Sequence, residues 1–377
     1  MKMLIVGGKL QGVEACYLAQ KANIKTLLID KNPSCLARNL ADSFIEMDIL
    51  KNKEAFLKKA YDCDLILPAM ENDAVITFLE QIQIKYHLQI AFDFKAYQIT
   101  KSKKKSDALF QEHQIPCPKH YPDARIPLLM KPSEASGSEG VEVINCEKTL
   151  EEKLQKITGM DQWIIQEYLE GPSFSMEVIG SPGQYKTYEI TQIHIDDQYD
   201  CCRVTAPCDL ETRVKQEFQR ITLDIAEKLQ LKGIMDVEVI LHNDTIKVLE
   251  IDARLPSQTP IVVYQTTGIN LLEELIRVFI PYTPITLTKN NPRVVLEQWL
   301  INKDATSNLG EKVMTQCGPL YYYVGLVEEV DILTDYVPGD EILRMILVII
   351  GKTDLEIHAR RNYIFSELKN KNLFQKT

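Results

Sequence analysis

Two apolar segments near the middle of the chain carry acidic residues at a spacing that could bind a cation. Met235 to Leu241 and Thr245 to Asp252 flank His242-Asn243-Asp244 and read as a β-hairpin. Alternation sends Met235, Val237, Val239 and Leu241 to one face and Asp236 and Glu238 to the other. Downstream, Leu249 and Ile251 are expected to face the core, with Glu250 and Asp252 on the acidic side. A turn centred on Asn243-Asp244 sets Glu238 opposite Glu250 to within one residue. Like charges directly across a sheet destabilise it, so such a stripe calls for a counter-ion. Hard oxygen ligands in this number suit Mg²⁺ held jointly with substrate phosphates, which makes Glu238, Glu250 and Asp252 the metal candidates. Arg254 follows Asp252 with the same parity. Its planar fork of donors fits either a salt bridge to these acids or a clamp on an oxyanion or phosphate, and on the second reading it is the catalytic candidate.

A second constellation is Lys131-Pro132-Ser133-Glu134-Ala135-Ser136-Gly137-Ser138-Glu139-Gly140-Val141, between strands at Leu128–Lys131 and Val141–Ile144. A loop of this kind offers backbone N–H groups and hydroxyls that can close over phosphates, and Lys131 places a point charge beside them. No Gly-Lys-Ser/Thr follows, so it is not a Walker loop; its bland alternative is a surface hairpin. The run Lys103-Lys104-Lys105 precedes a helix expected from Ser106 to His113, and one of these lysines could reach a phosphate. At the N-terminus Gly7-Gly8-Lys9-Leu10-Gln11-Gly12 follows the strand Met3–Val6, with Asp30 closing the next strand. A dinucleotide loop is disfavoured, because Lys9 stands where backbone must approach a pyrophosphate. A turn facing a small substrate remains, beside a turn with no ligand.

The elements that hold these residues are of two kinds. Strands at Met3–Val6, Thr26–Ile29 and Leu65–Leu67 alternate with helical segments and imply a parallel sheet. From Leu128 onward hairpins dominate, among them Trp163–Gln166 with Phe174–Ile179 around Glu170-Gly171-Pro172. A long amphipathic helix at Arg213–Leu231 interrupts them, and a final helix is expected near Arg360–Lys369. A chain of 377 residues suggests two or three domains. The net charge of -10 argues against nucleic acid as the main partner. The apolar run Met345–Ile350 is far shorter than the roughly 20 residues a membrane span needs and reads as a buried strand. Nine scattered cysteines without C-x-x-C spacing point to reduced thiols in the cytoplasm, and the six histidines form no ligand pattern.

Taken in order, a lysine ahead of a helix, Lys131-Pro132 with Ser136-Gly137-Ser138-Glu139-Gly140-Val141, Gln166-Glu167-Tyr168-Leu169-Glu170-Gly171, Gly233-Ile234-Met235-Asp236-Val237-Glu238 and Glu250-Ile251-Asp252-Ala253-Arg254 resemble the ATP-grasp superfamily. The resemblance implies an α/β fold, α+β in its centre. A Rossmann-like domain would span 1–95 and a two-lobed nucleotide-binding domain 96–285, with a flap lobe at about 107–180. A small C-terminal α/β domain would take 286–377. It implies ATP and Mg²⁺ as cofactors. Lys104 (or Lys103) and Lys131 would lie on phosphates, with Ser136, Gly137 and Ser138 closing over them. Gln166, Glu167, Tyr168 and Leu169 would read adenine, while Glu238, Glu250 and Asp252 would hold the metal. The pattern departs from the family at Asp252, where Asn is usual, and at Ser173, where many members place a ribose-binding acid. Within the superfamily, the opening Met3–Gly12 and the Lys131–Ser138 run resemble the ligases of pyrrolysine biosynthesis.

That narrower resemblance implies ATP-dependent joining of the 3-methyl-D-ornithine carboxyl to the ε-amine of L-lysine. Spacing and composition alone reach an amine–carboxylate ligase. Leu10, Gln11, Glu71, Asp73, Glu177, Asp236 and Ser257 are the candidates to bind these substrates, in a chain acting alone or as a homodimer. The competing expectations are another ATP-grasp chemistry (D-alanine–D-alanine-type ligation or carboxylation), a nucleotide sensor, and an NAD-dependent oxidoreductase.

Overall fold

The computed structural model describes residues 1–133, 140–157, 159, 162–283, 292–323, 330–337 and 339–370. Ser136, Gly137 and Ser138 lie outside the described residues.

The N-terminal part is a four-stranded parallel sheet of β1 (Lys2–Val6), β2 (Lys25–Asp30), β3 (Ser43–Glu46) and β4 (Leu65–Pro68), in the order β3-β2-β1-β4. Helices α1 (Leu10–Lys21), α2 (Lys53–Tyr61) and α3 (Asp73–Tyr86) accompany it. Sequence reading missed β3, a four-residue edge strand whose ends are exposed. The β1–α1 turn needs its glycines. Gly7 has φ +106°, and a Cβ there would stand 2.6 Å from the Ala69 carbonyl oxygen; a Cβ on Gly12 would lie 2.3 Å from that of Gly7. Asp30 also serves this turn, accepting hydrogen bonds from the N–H groups of Gly8 (2.7 Å) and Asn32 (2.8 Å).

Helices α4 (Phe94–Thr100) and α5 (Lys103–Glu112) lead into a small lobe. Its sheet is β6-β5-β7, built from β5 (Leu128–Pro132), β6 (Glu142–Ile144) and β7 (Trp163–Glu167), with α6 (Glu147–Lys156) packed on it. Strand β8 (Ser173–Ser181) does not pair with β7 as expected. It belongs to a different sheet, so residues 168–172 are a crossover between lobes rather than a hairpin turn.

The third and largest sheet described has ten strands: β8, β9 (Gln184–Ile195), β10 (Cys201–Ala206), β11 (Gly233–His242), β12 (Thr245–Asp252), β13 (Arg293–Asn302), β14 (Thr306–Asn308), β15 (Tyr321–Tyr322), β16 (Val330–Thr334) and β17 (Ile342–Gly351). Its order is β12-β11-β8-β9-β10-β13-β17-β16-β15, with β14 on β13. The sheet runs through from the central segment to the C-terminal one by pairing β10 with β13. Helices α8 (Thr259–Thr267) and α9 (Leu271–Phe279) link it back to α1, and α10 (Asp354–Asn370) packs on β13 and β17. Helix α7 (Thr212–Leu229) seats Val214, Phe218, Ile221 and Ile225 against Met235, Val237 and Val248 on the back of β11 and β12. Each such side chain, fully buried, contributes about 1.5–3 kcal/mol. No described helix is long and apolar enough to cross a membrane.

At the far end, the buried Glu297 carboxylate on β13 meets Arg361 of α10 through Nε and Nη2, each at 2.8 Å. It also meets Arg203 of β10 at 2.6 Å and accepts from Trp299 Nε1 at 3.0 Å. Removing one member of a buried charge network leaves the others uncompensated. Glu297→Ala is therefore expected to lower unfolding free energy by about 3–5 kcal/mol. Urea unfolding followed by tryptophan fluorescence checks this, with Trp299 a direct reporter.

Candidate active site

The hairpin of β11 and β12 forms as the sequence implies, with its two-residue turn at Asn243 (φ +48°) and Asp244 (φ +59°). Two left-handed residues give the turn type whose twist matches the strands, and Asn and Asp tolerate that region. One feature departs from simple alternation. The register steps between Glu238 and Val239, so Val239 faces Val248 while Glu238 faces Glu250. Leu249 is the extra residue of a β-bulge and is only half-buried; Ile246, Val248 and Ile251 form the core side instead. Without the bulge Glu238 would oppose Leu249, so the bulge brings the two glutamates face to face.

The neighbouring strand extends the acidic face. Asp236 pairs with Asp252 on one side and with Glu177 of β8 on the other, while Glu238 pairs with Glu250 and Ser175. Directly opposed residues point to the same side of a sheet. Five carboxylates therefore line two adjacent rows, with the Ser175 hydroxyl donating to Asp236. Burial pushes the Asp236 and Glu238 carboxyls well above the usual range, and neighbouring acids add to it: Glu177 for Asp236, Asp236 and Glu250 for Glu238. Burial also raises Asp252 to about 6, opposed by Arg254, and Glu177 to about 7, opposed by the Thr259 hydroxyl. Glu250 behaves differently. Burial pushes it up, but Lys103, Lys131 and Arg254 outweigh that and hold it below the ordinary value.

Three cations reach this face from three elements. Lys103 Nζ lies 2.7 Å from Glu250 Oε1. Helix α5 starts at Lys103, earlier than expected, and the Lys103 N–H donates to the Ser133 carbonyl at the end of β5. This fixes Lys103, rather than Lys104, against the acids. Lys104 instead lines a cavity of about 300 Å³ with Asp107, Gln111, His120 and Trp163. Lys131, on β5, is half-buried, and its loss of solvation lowers its pKa; Glu250 and Asp107 pull the other way and Lys103 adds to the lowering. Arg254 joins Asp252 (Nη2 to Oδ2, 3.1 Å) to Glu71 of the N-terminal domain (Nε to Oε1, 2.7 Å). Gln11 on α1 donates to the same Glu71 oxygen at 2.8 Å.

The other candidates fall at varied distances from this centre. Leu10 opens α1, half-buried against the core. Asp73 is mostly exposed and pairs with Lys101 at 2.8 Å, so it sits at the edge of the cluster. Ser257, after Arg254, donates to Glu311 Oε2 at 3.2 Å. Gln166 is buried at the end of β7; Glu167 accepts from the Lys119 N–H and the Tyr168 N–H donates to Pro127, so the crossover is pinned by its own backbone. Among the described residues no three His, Cys, Asp or Glu side chains are arranged as a ready metal cage. The donor set nevertheless suits a hard divalent cation. The acids outnumber their cations, Glu238 has no ion pair among the described residues, and Mg²⁺ commonly takes one or two carboxylates and fills its shell with water and phosphate. Sequence reading missed Glu14 and Glu311. Glu14 gave a signal, an acid inside the otherwise apolar Val13–Ala15 stretch, and Glu311, at the start of a short 3-10 helix, gave none.

Comparison with known proteins bears on the fold and the family. The family model described as an ATP-grasp domain matches residues 100–258. The chain is 43% identical over 276 residues to the 3-methyl-D-ornithine–L-lysine ligase of Methanosarcina barkeri, covering 73% of this chain and 72% of that protein. It is 44% identical over 276 residues to the ligase of the same name from Methanosarcina acetivorans, with the same coverage. Among solved structures, N5-carboxyaminoimidazole ribonucleotide synthetase from Thermus thermophilus superposes with a TM-score of 0.71 at 14% identity, over 100% of this chain and 99% of that one. The biotin carboxylase–β-γ-ATP complex from Campylobacter jejuni gives 0.70 at 16% identity, over 93% and 87%. At such identities these two show the fold alone. The fold, the ordered motifs and the relation to the Methanosarcina enzymes agree: the chain belongs to the 3-methyl-D-ornithine–L-lysine ligase family of ATP-grasp enzymes.

Proposed function

We propose that this chain phosphorylates the carboxylate of 3-methyl-D-ornithine with ATP and joins the activated carboxyl to the ε-amine of L-lysine, releasing ADP and phosphate. The observation that carries the reading is Arg254. It ties the acid rows of the nucleotide-binding sheet to Glu71 and Gln11 of the N-terminal domain, so phosphate chemistry and amino-acid binding share one centre.

An amide cannot form directly from a carboxylate, because oxide is too poor a leaving group. Attack of a carboxylate oxygen on the γ-phosphorus breaks the bond to ADP and gives an acyl phosphate. The amine nitrogen then attacks the carbonyl carbon and inorganic phosphate departs. Lys103 and Lys131, both beside Glu250, would offset charge on the transferring group. Glu238 and Glu250 would hold Mg²⁺, with Asp252 beside them, and a bound Mg²⁺ ion supplies further charge neutralisation on the phosphates. Half-buried Leu249, at the bulge, offers apolar surface beside Glu250 for an adenine ring, and the 168–172 crossover offers backbone groups to its edge. The incoming ε-amine must be neutral, which from a free pKa of about 10.4 costs roughly 4–5 kcal/mol at pH 7. Glu177, pushed up to about 7, is matched to accept that proton near neutrality, and Glu177 and Asp236 are carboxylates suited to substrate ammonium groups. Arg254 acts on the oxyanion of the tetrahedral intermediate, and Ser257, three residues further along the same turn, would assist it.

Incubation with ATP, Mg²⁺, lysine and 3-methyl-D-ornithine is expected to give a product weighing the sum of both amino acids less water, with one ADP per product. Its lysine α-amine should stay free to an α-amine reagent. ADP release that needs bicarbonate rather than lysine would assign a carboxylating reaction instead.

Glu238→Gln removes one of two facing half-buried acids, so its melting temperature is expected not to fall, while Mg²⁺-dependent ADP formation drops about 10²-fold or more. Asp252→Asn should keep measurable turnover. Arg254→Lys keeps the charge and loses the fork; kcat is expected to fall about 10²–10³-fold with ATP affinity and melting temperature nearly unchanged. A destabilised but fully active Arg254→Lys enzyme would reduce Arg254 to a salt-bridge partner.

A further inference from the structure

The turn that follows Arg254 is held in an uncommon conformation from outside. Gln258, the N-cap of α8, has φ +71° and ψ -49°, a region that L side chains rarely occupy. A residue stays there only where its surroundings over-determine it. Here the surroundings come from α1, from β10 and β13 of the large sheet, and from the segment at Glu311. Glu14 of α1, 2% exposed, accepts from the Gln258 N–H (3.0 Å) and from the Ile261 N–H (2.6 Å). Helix α8 has no side-chain cap of its own, Pro260 has no N–H, and the Thr259 N–H goes to the Ser257 carbonyl. Glu14 thus satisfies the remaining amides of the helix start from a different domain.

The Gln258 side chain is fixed just as fully. Its Nε2 donates to Glu311 Oε2 at 2.9 Å, the oxygen that also accepts from Ser257. Its Oε1 accepts from Gln298 Nε2 at 2.6 Å and from Cys201 Sγ at 3.4 Å. Glu14 from the N-terminal domain and Glu311 from the C-terminal segment therefore grip a single residue between them. That residue is four positions after Arg254 and one after Ser257. Neither glutamate bonds to Lys103, Lys131 or Glu250 in the described residues.

We infer that Glu14 and Glu311 are positioning residues for the ligation step, a clamp that sets the Arg254–Gln258 turn so that Arg254 and Ser257 meet the reacting carboxyl group. The inference rests on the proposed role of Arg254. The clamp lets the two flanking domains act on chemistry in the central one without touching nucleotide or metal. Its loss misplaces the turn by a fraction of an ångström, enough for a large loss in rate.

The test uses the full-length chain with Glu14→Gln, Glu311→Gln, Arg254→Lys and each glutamine variant combined with Arg254→Lys. An amide in place of Glu14 can accept one of the two N–H bonds but not both, and at Glu311 it weakens both bonds to one oxygen. ATP dissociation constants, kcat for condensed product, and folding by circular dichroism are measured for each. The expected result is kcat lowered about 10–100-fold in each single glutamine variant, with ATP binding within about twofold of the parent. In the Arg254→Lys background the same changes should add little, because the group they position is already lost. Unchanged kcat in folded single variants, or a loss that multiplies fully with that of Arg254→Lys, overturns the clamp. Should Glu14→Gln fail to fold, Glu311→Gln decides by the same criteria. A fully active Arg254→Lys enzyme instead removes the reading on which the clamp rests, so the two failures are told apart.

Discussion

Five carboxylates share one face of three adjacent strands, and that face is tolerable only where positive charge arrives from elsewhere. Two like charges about 5 Å apart at an effective dielectric near 20 repel by roughly 3 kcal/mol. The hairpin that creates the clash is stabilised from behind by α7 and its apolar contacts, so the strands can hold an arrangement their front face opposes. Positive charge reaches the front from three elements: Lys103 at the start of α5, Lys131 from the small lobe and Arg254 from the turn after β12, while Glu71 adds a further acid beside Arg254. Asp236 and Glu238 form no ion pair among the described residues, and burial together with the neighbouring acids raises both carboxyls. A site short of positive charge, with its acids already fixed, is suited to a divalent cation arriving with a nucleotide.

The N-terminal sheet and the segment at Glu311 are joined to this face through polar contacts as well as apolar burial. Glu71 and Gln11 bring the ends of the parallel sheet to Arg254, where open α/β sheets commonly bind ligands. Glu14 crosses from α1 to the start of α8, and Glu311 reaches the same turn from the C-terminal side. The crossover after β7 leaves the small lobe connected to the large sheet by a short backbone segment, a geometry that suits closure over a reactive acyl phosphate.

The hairpin was legible because period-two alternation and an Asn-Asp turn are local signals, and the pairing of Glu238 with Glu250 followed to within a residue. The bulge at Leu249 was not legible, since a one-residue slip leaves composition and alternation nearly intact while moving Leu249 out of the core. Likewise β7 and β8 both read as strands, but the choice of partner is made by tertiary packing, which separates them into two sheets. Helix α5 starts at Lys103, three residues before the expected Ser106; its N-cap is Ser102, and the anchoring bond from Lys103 to Ser133 is made to a segment distant in sequence. Glu14 and Glu311 act on a residue far away in sequence, and nothing in their local surroundings specifies that partner.

The central claim is that the carboxylate is activated by phosphoryl transfer at the acid-lined centre, and oxygen labelling tests it most directly. With 3-methyl-D-ornithine carrying ¹⁸O in its carboxylate, ATP, Mg²⁺ and lysine, one labelled oxygen should appear in each inorganic phosphate released, and one should remain in the amide product. Unlabelled phosphate, or label recovered in AMP, would contradict the account.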